Sequence, residues 1–362
     1  MTREFARLLR CLRCRGQLEV KAFVEASGGP QGSDVVDGLL TCTCQASYPI
    51  IGSIPRLLVN AFRLFPTFVD RYRSDLQSIP SEELRSDDGE FERKQVRTRQ
   101  SFGYQWTTFS EIATDFRDNF LNYLYPATPE TFQGKLGLDV GCGFGRHLCQ
   151  AAACGAEMVG VDFSAAIESS YANTKHLPNV HLVQADIYNL PFEPSTFDFV
   201  YSVGVLHHLP DPGRGLQAIT RLVKPRGLAS IWVYSKERKV TNFLLELVRS
   251  VTSRLPHGMV QGLSFIGASV DQVAFVMPYT LSRQTVAFKG VAERMTPPRI
   301  KLYSRYPFQV LYADWFDRLA APIRCYYSGP EVEEMLRAAG LSEIQVSPTG
   351  LYGWRGRGIR CQ

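Results

Sequence analysis

The segment "LGLDVGCGFGRH", residues 136–147, constrains the chain more than any other. An apolar run ends at the acidic Asp139 and is followed by Gly141, Gly143 and Gly145, then by Arg146 and a helix-forming stretch. Glycines at alternate positions let a strand-to-helix turn approach a ligand with no side chain in the way, and the helix start beyond offers N–H groups. The segment therefore predicts a buried strand, a ligand-cradling loop and a helix. Alone, it leaves open which nucleoside-type ligand is bound, because dinucleotide folds use a similar loop.

The surroundings narrow the choice. From 136 to 235 apolar strand-like runs alternate with helix-like runs: "AEMVGVDF", "SAAIESSYANTK", "NVHLVQAD", "FDFVYSV", "GRGLQAITRLVKP" and "GLASIWVYS". That rhythm predicts a parallel, doubly wound sheet. An acidic residue follows each of the first three strands: Asp139, then Asp162 in "VGVDFS", then Asp186 in "VQADIYNLPF". A nicotinamide site uses a carboxylate after the second strand but has no general use for the other two. A ligand with a cationic amino group, a ribose diol and an adenine amine uses all three, and S-adenosylmethionine (SAM) is that ligand.

On these motifs, residues 136–235 and 329–354 resemble a class I SAM-dependent methyltransferase of the small-molecule type. The resemblance implies an α/β, Rossmann-like, mostly parallel seven-stranded sheet with helices on both faces. It implies that Gly141, Gly143 and Gly145, with Arg146 at the helix start, form the SAM loop, and that Asp139 lies near the methionine amino end. Asp162 would bind the ribose hydroxyls, with Phe163 and Ser164 beside it at the adenine, and Asp186 with the Ile187 backbone would hold the adenine edge. "SVGVLHHLPDP" matches the loop after the fourth strand, which places Ser202 and Val203 against the cofactor.

Methyl transfer from a sulfonium chiefly requires alignment of the nucleophile and, where necessary, removal of its proton. His207 and His208 in that loop are candidate bases, since imidazole titrates near neutrality; the competing expectation is that the pair only packs beneath the methionine. The loop has no Asn/Asp-Pro-Pro-Tyr/Phe motif of the kind used on exocyclic base amines, and no cysteine lies between 155 and 324 to serve as a cytosine nucleophile.

Nine cysteines, an odd number, argue for mostly reduced thiols. Cys11 and Cys14 form C-x-x-C, and Cys42 and Cys44 form C-x-C. Two thiolate knuckles suit tetrahedral zinc, and residues 1–58 resemble the zinc-ribbon unit found as a methyltransferase activator or fused ahead of such enzymes. The second knuckle departs from the commoner C-x-x-C, which leaves both a tighter chelate and a metal-free site open. Cys142, Cys149, Cys154, Cys325 and Cys361 read as packing residues.

The remaining organisation follows from interruptions in the rhythm. Residues 59–127 read as a helical linker and cofactor-capping segment that contains the polar run "SEELRSDDGEFERKQVRTRQ", while 128–235 form the SAM-binding core. "SFGYQW" within the linker offers Tyr104 and Trp106 as aromatic faces for a sulfonium, or as plain core residues. Residues 236–326 form a largely helical insertion after the fifth core strand, a lid over the acceptor pocket that carries Tyr279, Tyr303, Tyr306 and Tyr312, and 327–362 complete the core. The insertion holds 13 Lys and Arg against 6 Asp and Glu, although the whole chain is only +5, and this excess points to an anionic acceptor.

The sequence therefore indicates O- or C-methylation of a small or carrier-linked metabolite, plausibly in specialised metabolism. Two alternatives stand beside it: a ribosomal or transfer RNA methyltransferase using the ribbon for RNA, and a non-catalytic partner-binding scaffold. Seven Lys and Arg in residues 1–58 make the ribbon only mildly basic, so nucleic acid is the less expected partner. The N-terminus lacks an apolar core of signal-peptide length and no stretch is uninterruptedly apolar enough to span a bilayer, so the expectation is a cytoplasmic protein with no membrane partner.

Overall fold

The computed structural model describes residues 1–29, 32–77, 79, 100–109, 116–350 and 352–361. The polar run at 81–99 lies outside the described residues. Eleven strands form one sheet: β1 Glu19–Gly29, β2 Gly32–Thr41, β3 Ser47–Ile51, β4 Ile54–Leu57, β5 Leu136–Val140, β6 Glu157–Asp162, β7 Val180–Ala185, β8 Phe197–Val203, β9 Val223–Tyr234, β10 Leu341–Thr349 and β11 Gly353–Arg360. Their spatial order is β1-β2-β3-β4-β7-β6-β5-β8-β9-β11-β10.

The sheet is larger and more mixed than the expected seven strands. Strands β5 to β11 are the seven-stranded core, parallel except for β11, which runs antiparallel to both β9 and β10. The N-terminal unit is an antiparallel ribbon, β1 to β4, whose last strand pairs in parallel with β7 through Arg56 opposite Gln184 and Leu57 opposite Ala185. A four-stranded ribbon has an exposed edge, and adding it to the edge at β7 satisfies both sets of backbone groups at once. Buried Arg56 fastens this seam: its guanidinium donates to Gln184 Oε1 (3.1 Å), to the Ile51 carbonyl (3.1 Å) and to Glu168 (2.5 Å).

Strand alternation divides the core between two faces, as a sheet covered on both sides requires. Leu138 and Val140 of β5 and Val159 and Val161 of β6 face the helices Pro212–Thr220 and Gly329–Ala338, which contribute Leu216, Ile219, Val332 and Leu336. Met158, Leu182, Phe199 and Tyr201 face the opposite side, against Phe120, Leu148 and Ile167 of the helices Arg117–Tyr123, Arg146–Ala153 and Ala166–Thr174. The chain order reverses between β5 and β8, where a doubly wound sheet opens a crevice at its carboxyl edge.

The insertion is helical: Lys239–Thr252, His257–Asp271, a π-turn at Gln272–Val276, Met277–Gln284, Val286–Met295, Pro298–Tyr303 and Phe308–Ala320. The continuous stretch His257–Gln284 is long and apolar enough to cross a membrane by length and composition. Its inner face packs Val260 and Ala268 against Phe316 and Leu311 of the helix Phe308–Ala320, which places the insertion over the crevice.

Candidate active site

A cavity of about 920 Å³ lies at the carboxyl edge of β5, β6, β7 and β8 and continues beneath the insertion. Gly141 and Gly143 line it with φ of +81° and +55°, a backbone conformation that L side chains resist. A Cβ on Gly141 would stand 2.3 Å from Val205 Cγ2, so the turn closes only with glycine there. Asp162, at the end of β6, pins this turn: its carboxylate accepts from the Gly143 N–H (2.9 Å), the Ser164 N–H (2.8 Å) and the Ser164 hydroxyl (2.7 Å). Asp186 accepts from the Tyr188 N–H (2.9 Å) and thereby shapes the short 3-10 turn Ile187–Asn189, so that Asp186 and Ile187 both line the cavity.

Asp139 completes this half. It is 2% exposed, lines the cavity and has no hydrogen-bond partner for Oδ2. Burial pushes its carboxyl up to about 8. The Tyr201 hydroxyl acts on this carboxyl but does not offset its burial. An acid buried with one oxygen unpaired is costly, and a cationic group entering the cavity supplies both a donor and the counter-charge. An orphaned acid beside a side-chain-free turn, with two further carboxylates in the order of the strands, fits the amino end, the ribose and the adenine of SAM.

The family described as "Methyltransferase domain" matches residues 138–231, the span of this geometry. Among curated proteins, a ubiquinone biosynthesis O-methyltransferase of Thiobacillus denitrificans is 31% identical over 187 residues, which are 49% of this chain and 74% of that protein. The chain belongs to the class I SAM-dependent methyltransferases. A demethylmenaquinone methyltransferase of Staphylococcus haemolyticus is 38% identical over 26% of this chain and 41% of its own length, and a ubiquinone biosynthesis O-methyltransferase of Paracidovorax citrulli is 35% identical over 35% and 55%. The chain thus spans about half the length of these two relatives.

Within this methyltransferase fold the site residues read from the sequence separate into two groups. Asp139, Gly141, Gly143, Arg146, Asp162, Phe163, Ser164, Asp186, Ile187, Val203, Trp106 and His208 line the one cavity. Trp106 lies over the turn, 3.6 Å from where a Gly143 Cβ would be, and stacks on Phe144 with Arg146 beside its ring. Gly145, Ser202, Tyr104 and His207 are placed outside the lining. Gly145 (φ +88°) brings the turn onto Ser170, and buried Ser202 donates to the Val140 carbonyl (2.8 Å). Tyr104 stacks on His257 and Phe316 and bonds Gln261 Oε1 (2.7 Å), which ties helix 100–108 to the insertion.

The two adjacent histidines differ. His207 is fully buried against Tyr234 (3.9 Å between ring centroids), has no partner for either ring nitrogen, and is held neutral by burial and by neighbouring His208 and Arg324. His208 reaches the cavity. Its Nδ1–H donates to the Ile323 carbonyl (2.7 Å), which leaves the Nε2 lone pair 3.8 Å from Asp317 Oδ1, and burial lowers its pKa to about 4 despite Asp317. An imidazole so placed is neutral at physiological pH.

The far half of the cavity comes from residues that no motif marked. Asp317 accepts from the Tyr234 hydroxyl (2.6 Å) and from Arg324 (2.8 Å), whose guanidinium also lies 4.2 Å over the Tyr234 ring. Burial acts to raise the Asp317 carboxyl, but Arg324 and His208 outweigh it and hold it below the ordinary range. Arg318 pairs with Asp314, and Arg299 with Asp271. Arg238 lines the same chamber, lies 4.5 Å over the Tyr352 ring, and has no salt bridge among the described residues. The basic excess of the insertion was the only sequence signal for this group.

The four knuckle cysteines converge. The Sγ atoms of Cys11, Cys14, Cys42 and Cys44 lie within 4.8 Å of one another, and none is in a disulfide. A tetrahedral zinc with bonds of about 2.3 Å needs sulfurs about 3.8 Å apart, and the Cys11–Cys44 and Cys14–Cys42 separations are 3.6 and 3.4 Å. The second knuckle closes as C-x-C because Gln45, just beyond it, takes a left-handed conformation (φ +70°), as Arg15 (φ +63°) does after the first. Arg15 then donates to the Leu190 carbonyl (2.7 Å) and to Asn189 at the end of the Asp186 turn. The knuckles are therefore mechanically joined to the Asp186 end of the cavity.

The raised Asp139 pKa gives a pH prediction. The free carboxyl is protonated below its pKa of about 8, whereas a bound amino cation requires it ionised. Affinity for S-adenosylhomocysteine should therefore rise as pH increases from about 6 to 8, with proton release at pH 7 visible as a dependence of the binding enthalpy on buffer. Asp139→Asn should remove both effects, and their persistence in that variant would assign the proton to another group.

Proposed function

We propose that the protein transfers the methyl group of SAM to an oxygen or carbon of a small anionic acceptor, free or carrier-linked. The observation that carries this reading is the polarity of this cavity. Its sheet end presents Asp139, Asp162 and Asp186 with Arg146, and its insertion end presents Arg238, Arg299, Arg305, Arg318 and Arg324 against Asp314, Asp317 and the Arg299 partner Asp271. Carboxylates at one end suit a cationic nucleoside and a surplus of guanidiniums at the other suits a carboxylate or phosphate. Two of the relatives are named for quinone biosynthesis, which supports a small molecule. A tRNA U34 carboxymethyltransferase of Pseudoalteromonas atlantica, 35% identical over 27% of this chain and 31% of its own length, is the reason RNA is included in the test.

When bound, the sulfonium of SAM supplies an electrophilic methyl group. The chain's own residues then have to position the acceptor and keep water out. Trp106 and Phe144 cover the turn side of the cavity. Arg238 holds the acceptor's anionic group, with Tyr352 supporting the guanidinium from one face. His208, with a pKa of about 4, is too weak a base to retain a proton at neutral pH, so it orients a hydroxyl by accepting its hydrogen bond at Nε2. The Tyr234–Asp317–Arg324 group fixes the wall behind it. Alignment is then the main source of rate.

The test is methyl transfer from labelled SAM to phenolic carboxylates and phosphates set beside their neutral amides and bulk RNA. Labelling of the anionic set alone supports the reading; labelling of RNA or only of neutral compounds overturns it. For an accepted substrate, Arg238→Gln should raise the acceptor KM by about tenfold while the SAM KM stays the same.

We further propose a structural zinc on Cys11, Cys14, Cys42 and Cys44. Protein from zinc-replete medium should contain close to one zinc per chain. Cys42→Ser should lower that content and, through Arg15 and the Asn189 turn, weaken S-adenosylhomocysteine binding severalfold. Zinc loss with unchanged affinity would show that the ribbon does not support the adenine end.

A further inference from the structure

The outer face of the insertion is unusually apolar. Of 22 large hydrophobic side chains exposed among the described residues, 18 lie between Val240 and Leu302. They form stripes rather than a scatter. On the helix Lys239–Thr252, Val240, Phe243, Leu244, Leu247, Val248 and Val251 share one face and are 47% to 74% exposed. On the stretch His257–Gln284, the spacing Met259, Leu263, Ile266, Val270, Val273, Met277 continues a second stripe for several turns. Each helix uses its opposite side for the protein: Arg249 and Thr252 are buried on the first, and Val260, Ser264, Ala268 and Asp271 on the second. Soluble monomers rarely expose contiguous apolar surface on this scale.

The charge around the stripes is one-sided. Lys239, Arg254, Arg294 and Arg305 are exposed with no salt bridge among the described residues, while Glu237 is the one acid in the described insertion that is equally exposed. A symmetric dimer would place this patch against itself and bring like charges together, whereas anionic headgroups complement them.

We propose that the insertion docks on an anionic lipid bilayer, with the helices Lys239–Thr252 and His257–Gln284 lying in the interface. The second helix does not span it. Asp271, midway along it, is ion-paired with Arg299 and accepts from Trp315 Nε1 (3.0 Å) on the protein side, so only one face is available to lipid. Interfacial helices of this kind bury their apolar face to the depth of the headgroup boundary and are held there by flanking cations. Asn242 and Leu245 of the docking helix line the cavity, so docking brings the cavity to the bilayer surface. This departs from the sequence expectation of no membrane partner, which considered only spanning segments.

The experiment is co-sedimentation of the full chain with phosphatidylcholine vesicles and with mixed phosphatidylcholine–phosphatidylglycerol vesicles, alongside its molar mass by light scattering. The protein should sediment with the anionic vesicles, less so in high salt. The double substitution Phe243→Glu and Leu247→Glu should reduce the bound fraction at least about tenfold, with circular dichroism and S-adenosylhomocysteine affinity unchanged. Should that variant misfold, Lys239→Glu with Arg254→Glu at the exposed rim should weaken binding to anionic vesicles alone. Failure of the native chain to bind either vesicle would overturn the proposal. So would a native dimer that the Glu variant converts to monomer, since a second copy would then cover the face. Cofactor binding is measured separately, so neither result bears on the site assignment.

Discussion

A carboxyl group buried at the end of a central strand, with one oxygen left unpaired, organises the rest of this structure. Asp139 stands where β5 meets the glycine turn, and burying it with Oδ2 unpaired costs free energy that a cationic ligand recovers. The turn around it has no side chains to spare, and Asp162 spends its carboxylate on holding that turn. The fold thus stores an unmet electrostatic demand in a rigid frame, and the frame is rigid because β5 lies at the middle of an eleven-stranded sheet.

From that point the protein builds outward in both directions. Toward the ribbon, Arg56 and Arg15 reach across to β7 and to the turn after it, so an appendage that could have been a separate module buttresses the Asp186 end of the cavity. Toward the insertion, Tyr234 at the end of β9 meets Asp317 and Arg324 from more than 80 residues later and closes a charged chamber over the cavity. The same insertion turns apolar helices outward, so a single segment both lines the cavity and carries most of the exposed apolar side chains among the described residues.

How much of this the sequence made legible follows from where each residue's partner lies. The cofactor half is built from residues at the ends of consecutive strands, where side-chain direction follows from strand period and the turn chemistry is local. Asp139, Gly141, Asp162 and Asp186 could therefore be read directly. The acceptor half depends on contacts between β9, the helix Phe308–Ala320 and the segment after it, and no local pattern encodes which arginine meets which aspartate. The paired histidines show the limit well. Adjacent in sequence, they differ because a single 3-10 turn aims His208 into the cavity and His207 into the core. The joining of the ribbon to the core sheet is not legible for a related reason: the pairing of β4 with β7 spans more than 120 residues.

The most direct test is calorimetric titration of the unmodified protein with S-adenosylhomocysteine at pH 8, close to the raised pKa of Asp139. The account predicts saturable binding at one site per chain. Absence of binding by protein that is folded and zinc-replete would contradict it, because the orphaned acid and the glycine turn would then serve some other ligand.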